Sequence, residues 1–375
     1  MKNIILAPDS FKGTMSSSRI CGIMEEVLVR YFPDAVIRKI PVADGGEGTV
    51  ECFREAVGGT EVRLKVSGPY FEEIEAAYAV LPDGSTAVIE LAAAAGLPLV
   101  GENRNPLLTT TFGVGQMIRH ALENGCKNIV LGLGGSSTND CGTGMAAALG
   151  VRFLDEKGEA FVPVGGTLDR IKDIDMSCRA KELDGCKLTV MCDVDNPLCG
   201  INGAAYVYGP QKGADEETVI VLDKNLEYLS GLIREKLHTD LAQMPGAGAA
   251  GGAGAGVVAF LGGELKPGIE TVLDVVGFDS LLENADLVFT GEGKIDRQSL
   301  RGKVVAGVAK RAKLKGVPVI VVVGDIGDEI DEVYRLGVTA VVSINRVAVP
   351  FETAKHRSES DLRLTMHDIA RLLML

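Results

Sequence analysis

"DLVFTGEGKIDRQSLRGKVVAGVAKRAKLKG", residues Asp286–Gly316, decides the fold class. A short apolar run, DLVFTG, leads into a polar, glycine-bearing loop, GEGKIDRQSLRG. The segment KVVAGVAKRAKLKG follows, with apolar positions recurring at helical spacing. Strand, loop and helix in that order form the repeating unit of a parallel sheet with crossover helices. The rhythm continues toward the C-terminus. VPVIVVVG reads as a buried strand, DEIDEVYRLG as a helix, TAVVSI as a last strand, and the tail from Ser358 as an amphipathic helix.

The other end of the chain reads the same way. NIILA is a strand, PDSFKGT a loop, and SSSRICGIMEEVLVRYF a helix with Ser16 to Ser18 as capping candidates. AVIRKIPVA is a second strand, DGGEG a loop, and TVECFREAVGG a helix ending at Gly58. Between the two ends the pattern changes. EVRLKVSG, EIEAAYAVL and TAVIELA are strand-like runs separated by turn residues, and they read as an antiparallel set. TTTFGVGQMIRHALENG reads as a helix, KNIVLGL and KLTVMCDV as strands, and Asp215 to Leu241 as a long helical stretch. The expected architecture is therefore α/β with two domains. A Rossmann-like parallel-sheet domain is built from both chain ends, residues 1–60 and 275–375, and a mixed α/β domain, residues 61–274, is inserted between them.

The composition of the 375 residues is that of an ordinary globular protein, 46% apolar and 24% charged. A net charge of −13 repels nucleic acid and anionic membranes. It repels an anionic small substrate too, unless local lysines and a divalent cation cancel it. The eight cysteines form no C-x-x-C and have no metal-ligand spacing to the four histidines. With no signal peptide and no apolar stretch of transmembrane length, the reading is a cytoplasmic protein with free, mostly buried thiols. A monomer and a homodimer are both open.

Five polar, glycine-bearing loops follow apolar strands or face one that does: APDSFKGT, VADGGEGT, GLGGSSTND, CDVDNPLCG with YGPQKGA, and TGEGKIDRQSLRGK. Ligands of open α/β sheets bind beyond the carboxyl ends of strands. Glycine lets backbone N–H groups approach phosphate oxygens, which marks Gly45, Gly46, Gly134, Gly135, Gly291 and Gly293. Asp9, Ser10, Ser136 and Asn139 are further substrate- or nucleotide-binding candidates. Lys12, Lys212 and Lys294 neutralise phosphate or carboxylate charge. Asp44, Glu47, Glu292 and Asp296 are candidate Mg²⁺ ligands beside the polyphosphate of a nucleotide. A remaining Asp takes the proton of an attacking hydroxyl, because no histidine lies in any of these loops. Asp193, which ends the strand KLTVMC, is the first choice. Asp140 is the second, with metal binding as its other role.

Competing motifs fail. There is no G-x-x-x-x-G-K-[ST] and no G-x-S-x-G. The Gly/Ala stretch PGAGAAGGAGAGVVAFLGG, Pro245–Gly263, contains a G-x-G-x-x-G, but a helix precedes it where a dinucleotide site needs a strand. Two readings of that stretch remain. Gly246–Gly252 lines a cleft with close-approaching backbone, and Ala253–Ala259 enters a tightly packed helix.

Six motifs in order, APDSFKGT, PVADGGEGT, GGSSTND, GPQKGA, GAGAAGG and TGEGKIDRQSLRGK, resemble the bacterial glycerate kinases of the glycerate 2-kinase type over nearly the whole chain. The resemblance implies a flavodoxin-like domain and a restriction-endonuclease-like domain. It also implies ATP-dependent phosphorylation of glycerate in glyoxylate, glucarate and galactarate metabolism. Ser137 and Cys141 stand where the family more often has Ala and Gly. The other functions left open are a kinase for another small hydroxy acid, phosphorylation of the 3-hydroxyl, and a non-catalytic nucleotide or metabolite sensor.

Overall fold

The computed structural model describes residues 1–42, 45–46, 48–296 and 303–375. Contacts within the chain divide it into two units, residues 1–43, 51–58 and 269–375 in the first, and 44–50 with 59–268 in the second.

The first unit holds a five-stranded, all-parallel sheet in the spatial order Val338–Ser343, Val319–Val323, Leu287–Gly291, Asn3–Pro8, Val36–Lys39. Numbered along the chain within this unit, the order is 2-1-3-4-5, one of the common doubly wound arrangements. The N-terminal strand pairs directly with the strand opened by Leu287, in the register Ile4↔Leu287 to Pro8↔Gly291, so the two chain ends share one sheet. Every residue of Val319–Val323 is buried, as expected for a parallel strand covered on both faces. The helix Ser17–Tyr31 starts where the Ser16 side chain accepts the N–H of Arg19. Its buried Ile20, Ile23, Met24, Val27 and Leu28 share a core with Leu362, Met366, Ile369 and Ala370 of the terminal helix Ser358–Leu372.

The second unit holds a six-stranded mixed sheet in the order Glu264–Lys266, Lys187–Met191, Asn128–Gly132, Thr86–Glu90, Glu73–Val80, Thr60–Ser67. The last three strands pair antiparallel, and Thr86–Glu90 also pairs parallel to Asn128–Gly132, joining the hairpin set to a parallel half. A small antiparallel sheet, Ala160–Phe161, Arg152–Leu154 and Asp173–Asp175, has strands too short to carry a readable period. Helix Glu216–Leu237 begins at Asp215, which accepts the N–H of Thr218.

The Gly/Ala stretch is packed throughout. It forms the helix Ala249–Gly256, with left-handed residues at Ala250, Gly251 and Gly252, and passes into a π-helical turn, Val257–Leu261. A Cβ at Gly251 would strike the carbonyl oxygen of Thr138, and one at Gly256 that of Cys141. Gly246 and Gly248 are likewise filled from outside, by Cys192 and by Pro197. The expected cleft lining by Gly246–Gly252 is therefore corrected. These glycines admit the protein's own backbone, chiefly the loop that begins at Gly134. All eight cysteines are free; Cys21, Cys126, Cys141 and Cys199 are buried and Cys178 is exposed. Among the described residues no helix is long and apolar enough to cross a membrane.

Candidate active site

In the first unit, two loops leave the carboxyl ends of neighbouring parallel strands. Because Pro8 and Gly291 are paired residues, Asp9–Lys12 and Glu292–Asp296 emerge side by side. The N–H of Asp9 donates to the Gly291 carbonyl at 2.8 Å, and the Asp9 carboxylate accepts the N–H of Ser10 at 2.6 Å. Phe11 is buried and bridges to Met15, with Gly13 in the left-handed region, so the turn holds exposed Lys12 at its tip. A Cβ at Gly293 would sit 3.3 Å from the Lys12 nitrogen, so the two loops touch through backbone. Glu292 is buried, an unusual place for a carboxylate. Lys294 pairs with Asp325 at 3.9 Å, because Lys294–Ile295 forms a short parallel ladder with Asp325–Ile326. Asp296 follows directly, its Cβ against Gly327.

The second unit gathers another set around the loop after Asn128–Gly132. Gly134 donates to the Gly45 carbonyl at 2.9 Å, and its Cα has no room for a side chain against Gly46. Gly135 is left-handed and its carbonyl accepts from Leu97. Ser136, Ser137, Thr138, Asn139 and Asp140 are all buried. Lys212, in the tight turn Pro210–Lys212, sends its ammonium to the Thr138 carbonyl at 2.6 Å and the Ser136 hydroxyl at 3.2 Å. Burial pulls the Lys212 pKa down to about 7, against the opposing pull of Asp140. Asp140 is itself fully buried. Its carboxylate accepts the N–H and hydroxyl of Thr111, each at 2.8 Å, and the N–H groups of Gly142 and Gly144. Burial raises the Asp140 pKa and these donors hold it back. Both side-chain polar atoms of Asn139 are buried without a hydrogen-bond partner among the described residues.

Asp193 is exposed two residues beyond Lys187–Met191, and its carboxylate accepts the N–H of Gly268 at 2.7 Å. Ser137 and Cys141 fit their places. The Ser137 hydroxyl donates to the Ala95 carbonyl at 2.9 Å, and Cys141 lies fully buried beneath Gly252 and Gly256.

Asp9, Ser10, Lys12, Gly291, Glu292, Gly293, Lys294 and Asp296 thus stand in the first unit. Gly45, Gly46, Gly134, Gly135, Ser136, Asn139, Asp140, Asp193 and Lys212 stand in the second. Asp44 and Glu47 lie outside the described residues. Among the described residues no three His, Cys, Asp or Glu side chains group closely enough to hold a metal by themselves. The structure seals Asp140 and Lys212 in the interior, where the Asp140 carboxylate accepts from Thr111, Gly142 and Gly144 and the Lys212 ammonium donates to Thr138 and Ser136. It also adds Thr109, Thr110 and Thr111, all fully buried, which the sequence reading passed over. Their only signal was a run of three hydroxyls at the start of helix Phe112–Glu123.

Glycine, lysine and carboxylate on loops at the carboxyl ends of parallel strands define an α/β phosphotransferase type of site. The glycerate kinase family model matches residues 4–374. A glycerate kinase of Bacillus cereus is 46% identical over 98% of this chain and 97% of its own length. The glycerate 2-kinase of Escherichia coli is 46% identical over 91% of this chain and 90% of its own. A crystal structure assigned to glycerate kinase 2 from Salmonella typhimurium LT2 is 42% identical, with a TM-score of 0.87 over 100% of this chain and 98% of that one. The chain belongs to the glycerate kinase family.

Proposed function

We propose that the protein transfers the γ-phosphoryl group of ATP to the 2-hydroxyl of glycerate. The observation that carries this reading is the pair of loops Asp9–Lys12 and Glu292–Asp296, set side by side on paired strand ends with lysine, glycine and a buried carboxylate between them. The 2-position is favoured by the relative named glycerate 2-kinase.

Lys12 and Lys294 neutralise anionic oxygens of the substrates; Gly291 has its side-chain direction filled by the Val322 carbonyl, so it serves the sheet and opens no space for phosphate. The donor set fits Mg²⁺, which takes one or two carboxylates and completes its shell with water and phosphate oxygens. Glu292 and Asp296 would hold it, with Asp44 and Glu47 as further candidates. The ion would neutralise charge on the transferring group. Asp193 receives the proton of the glycerate hydroxyl. Asp140 and Lys212 shape the loop that carries Ser136 and Asn139. The first unit is read as a flavodoxin-like domain and the second as a restriction-endonuclease-like domain, in a cytoplasmic enzyme.

The test is glycerate-dependent release of ADP from ATP by the purified protein, with the product identified by phosphorus NMR. 2-Phosphoglycerate is expected. Turnover of another hydroxy acid in preference to glycerate would move the substrate, 3-phosphoglycerate would move the position, and no turnover with any hydroxy acid would sink the reading.

A further inference from the structure

We propose that Thr111 is a positioning residue for the proposed reaction, fixing the loop Ser136–Asp140 through the carboxylate of Asp140. The proposal rests on reading that loop as part of the substrate site. Thr111 is fully buried. Its N–H and its hydroxyl both donate to one oxygen of Asp140, and the same hydroxyl accepts the N–H of Met145 at 2.9 Å. One side chain thereby ties the end of the loop to the first turn of helix Thr143–Ala148. Thr109 adds a second tie, its hydroxyl donating to the Ser137 carbonyl at 2.9 Å. From the opposite end of the loop, Lys212 holds the Thr138 carbonyl.

Residues 137, 138 and 140 are therefore each held by a partner distant in sequence, while Asn139 between them keeps an unmatched buried amide. An unpaired buried amide is costly and persists only where the surroundings over-determine it. The clamp supplies that determination. A buried carboxylate without its donors would draw the nearest N–H groups to itself and reshape the loop. Thr111 both gives the Asp140 carboxylate a side-chain donor and restrains the following helix.

Two variants test this. Thr111→Val keeps shape and removes the hydroxyl; Thr111→Ser keeps the hydroxyl and removes the methyl. In T111V, amide hydrogen exchange at Gly142, Gly144 and Met145 is expected to quicken at least tenfold. The kcat for glycerate should fall at least tenfold while the KM for ATP stays within threefold. T111S should stay within threefold of the parent in all three readouts. Unchanged exchange in T111V, intact kcat with loosened amides, or a T111S as impaired as T111V overturns the proposal. T111S decides the matter by itself if T111V does not fold. Faster exchange in T111V alongside a parent protein that cannot phosphorylate glycerate leaves the clamp standing as structure but overturns its part in this reaction, and places the failure in the functional reading.

Discussion

The ammonium of Lys212 and the carbonyl oxygen of Thr138 are 2.6 Å apart and sealed from solvent. Lys212 thus braces the Ser136–Asp140 loop. Lys212→Met should lower kcat/KM by roughly ten- to a hundredfold, the scale of a lost charge-assisted hydrogen bond of about 1.5–3 kcal/mol. Circular dichroism should show the fold retained. Near-parental kinetics in the Met variant would mean that the loop holds its shape without the brace.

The same lysine makes a prediction about stability and pH. Its pKa is about 7 in the folded protein against 10.5 for an ordinary lysine. Between those values the unfolded chain binds the additional proton, so stability rises with pH in that window. Below about 7 the cost of burying the ammonium is fully present. Each unit of displacement corresponds to about 1.4 kcal/mol. Urea unfolding of the parent and of Lys212→Met from pH 6.5 to 9.5 should show the parent gaining on the variant as pH rises. A constant or shrinking difference would contradict the assignment.

Gly251 combines a left-handed backbone with a side-chain direction blocked by the Thr138 carbonyl. Gly251→Ala should lose about 2–4 kcal/mol, from strain and overpacking together. Gly185, which has open space at its Cβ position, is the control, and Gly185→Ala should stay within roughly 0.5 kcal/mol. Equal urea midpoints for the two variants would show that the Gly/Ala stretch yields easily.

Much of this arrangement was legible in the sequence, and the limits have a physical cause. The parallel strands were readable because strands covered on both faces are continuous apolar runs, as Val319–Val323 is. The loops were readable as loops because Gly, Pro and Asp punctuate the apolar runs. The state of each charged group was not readable, since it depends on partners far along the chain. Asp140 looked like a reactive carboxylate until Thr111, 29 residues earlier, supplied two donors to it. The cleft-lining role of Gly246–Gly252 failed for the same reason. Small residues admit backbone at close range, but composition does not say whether that backbone belongs to a ligand or to the protein.

Phosphoryl transfer should require a divalent cation. Glu292 and Asp296 flank the short strand Lys294–Ile295 that follows Leu287–Gly291. Excess chelator is expected to abolish glycerate-dependent ADP release, and added Mg²⁺ or Mn²⁺ to restore it. Undiminished turnover in chelator would remove these carboxylates from a metal role. Glu292→Gln should raise the Mg²⁺ concentration needed for half-maximal rate, whereas a purely structural Glu292 would change stability and leave that concentration alone.

Asp193 offers the sharpest test of the chemistry. It lies two residues beyond the strand Lys187–Met191, the residue is exposed, and the Gly268 N–H holds one carboxylate oxygen. That contact admits a simpler account, in which Asp193 only anchors Gly268. Asp193→Asn separates the two. The amide oxygen can still accept the Gly268 N–H, so the anchor survives, while basicity is lost. If Asp193 takes the hydroxyl proton late in phosphoryl transfer, kcat should fall strongly with ATP binding nearly unchanged. Asp193→Ala removes both functions and should lose stability as well as rate. A kcat for the Asn variant within about threefold of the parent corresponds to less than roughly 1 kcal/mol of transition-state stabilisation. That result would leave Asp193 as the anchor of Gly268 and nothing more.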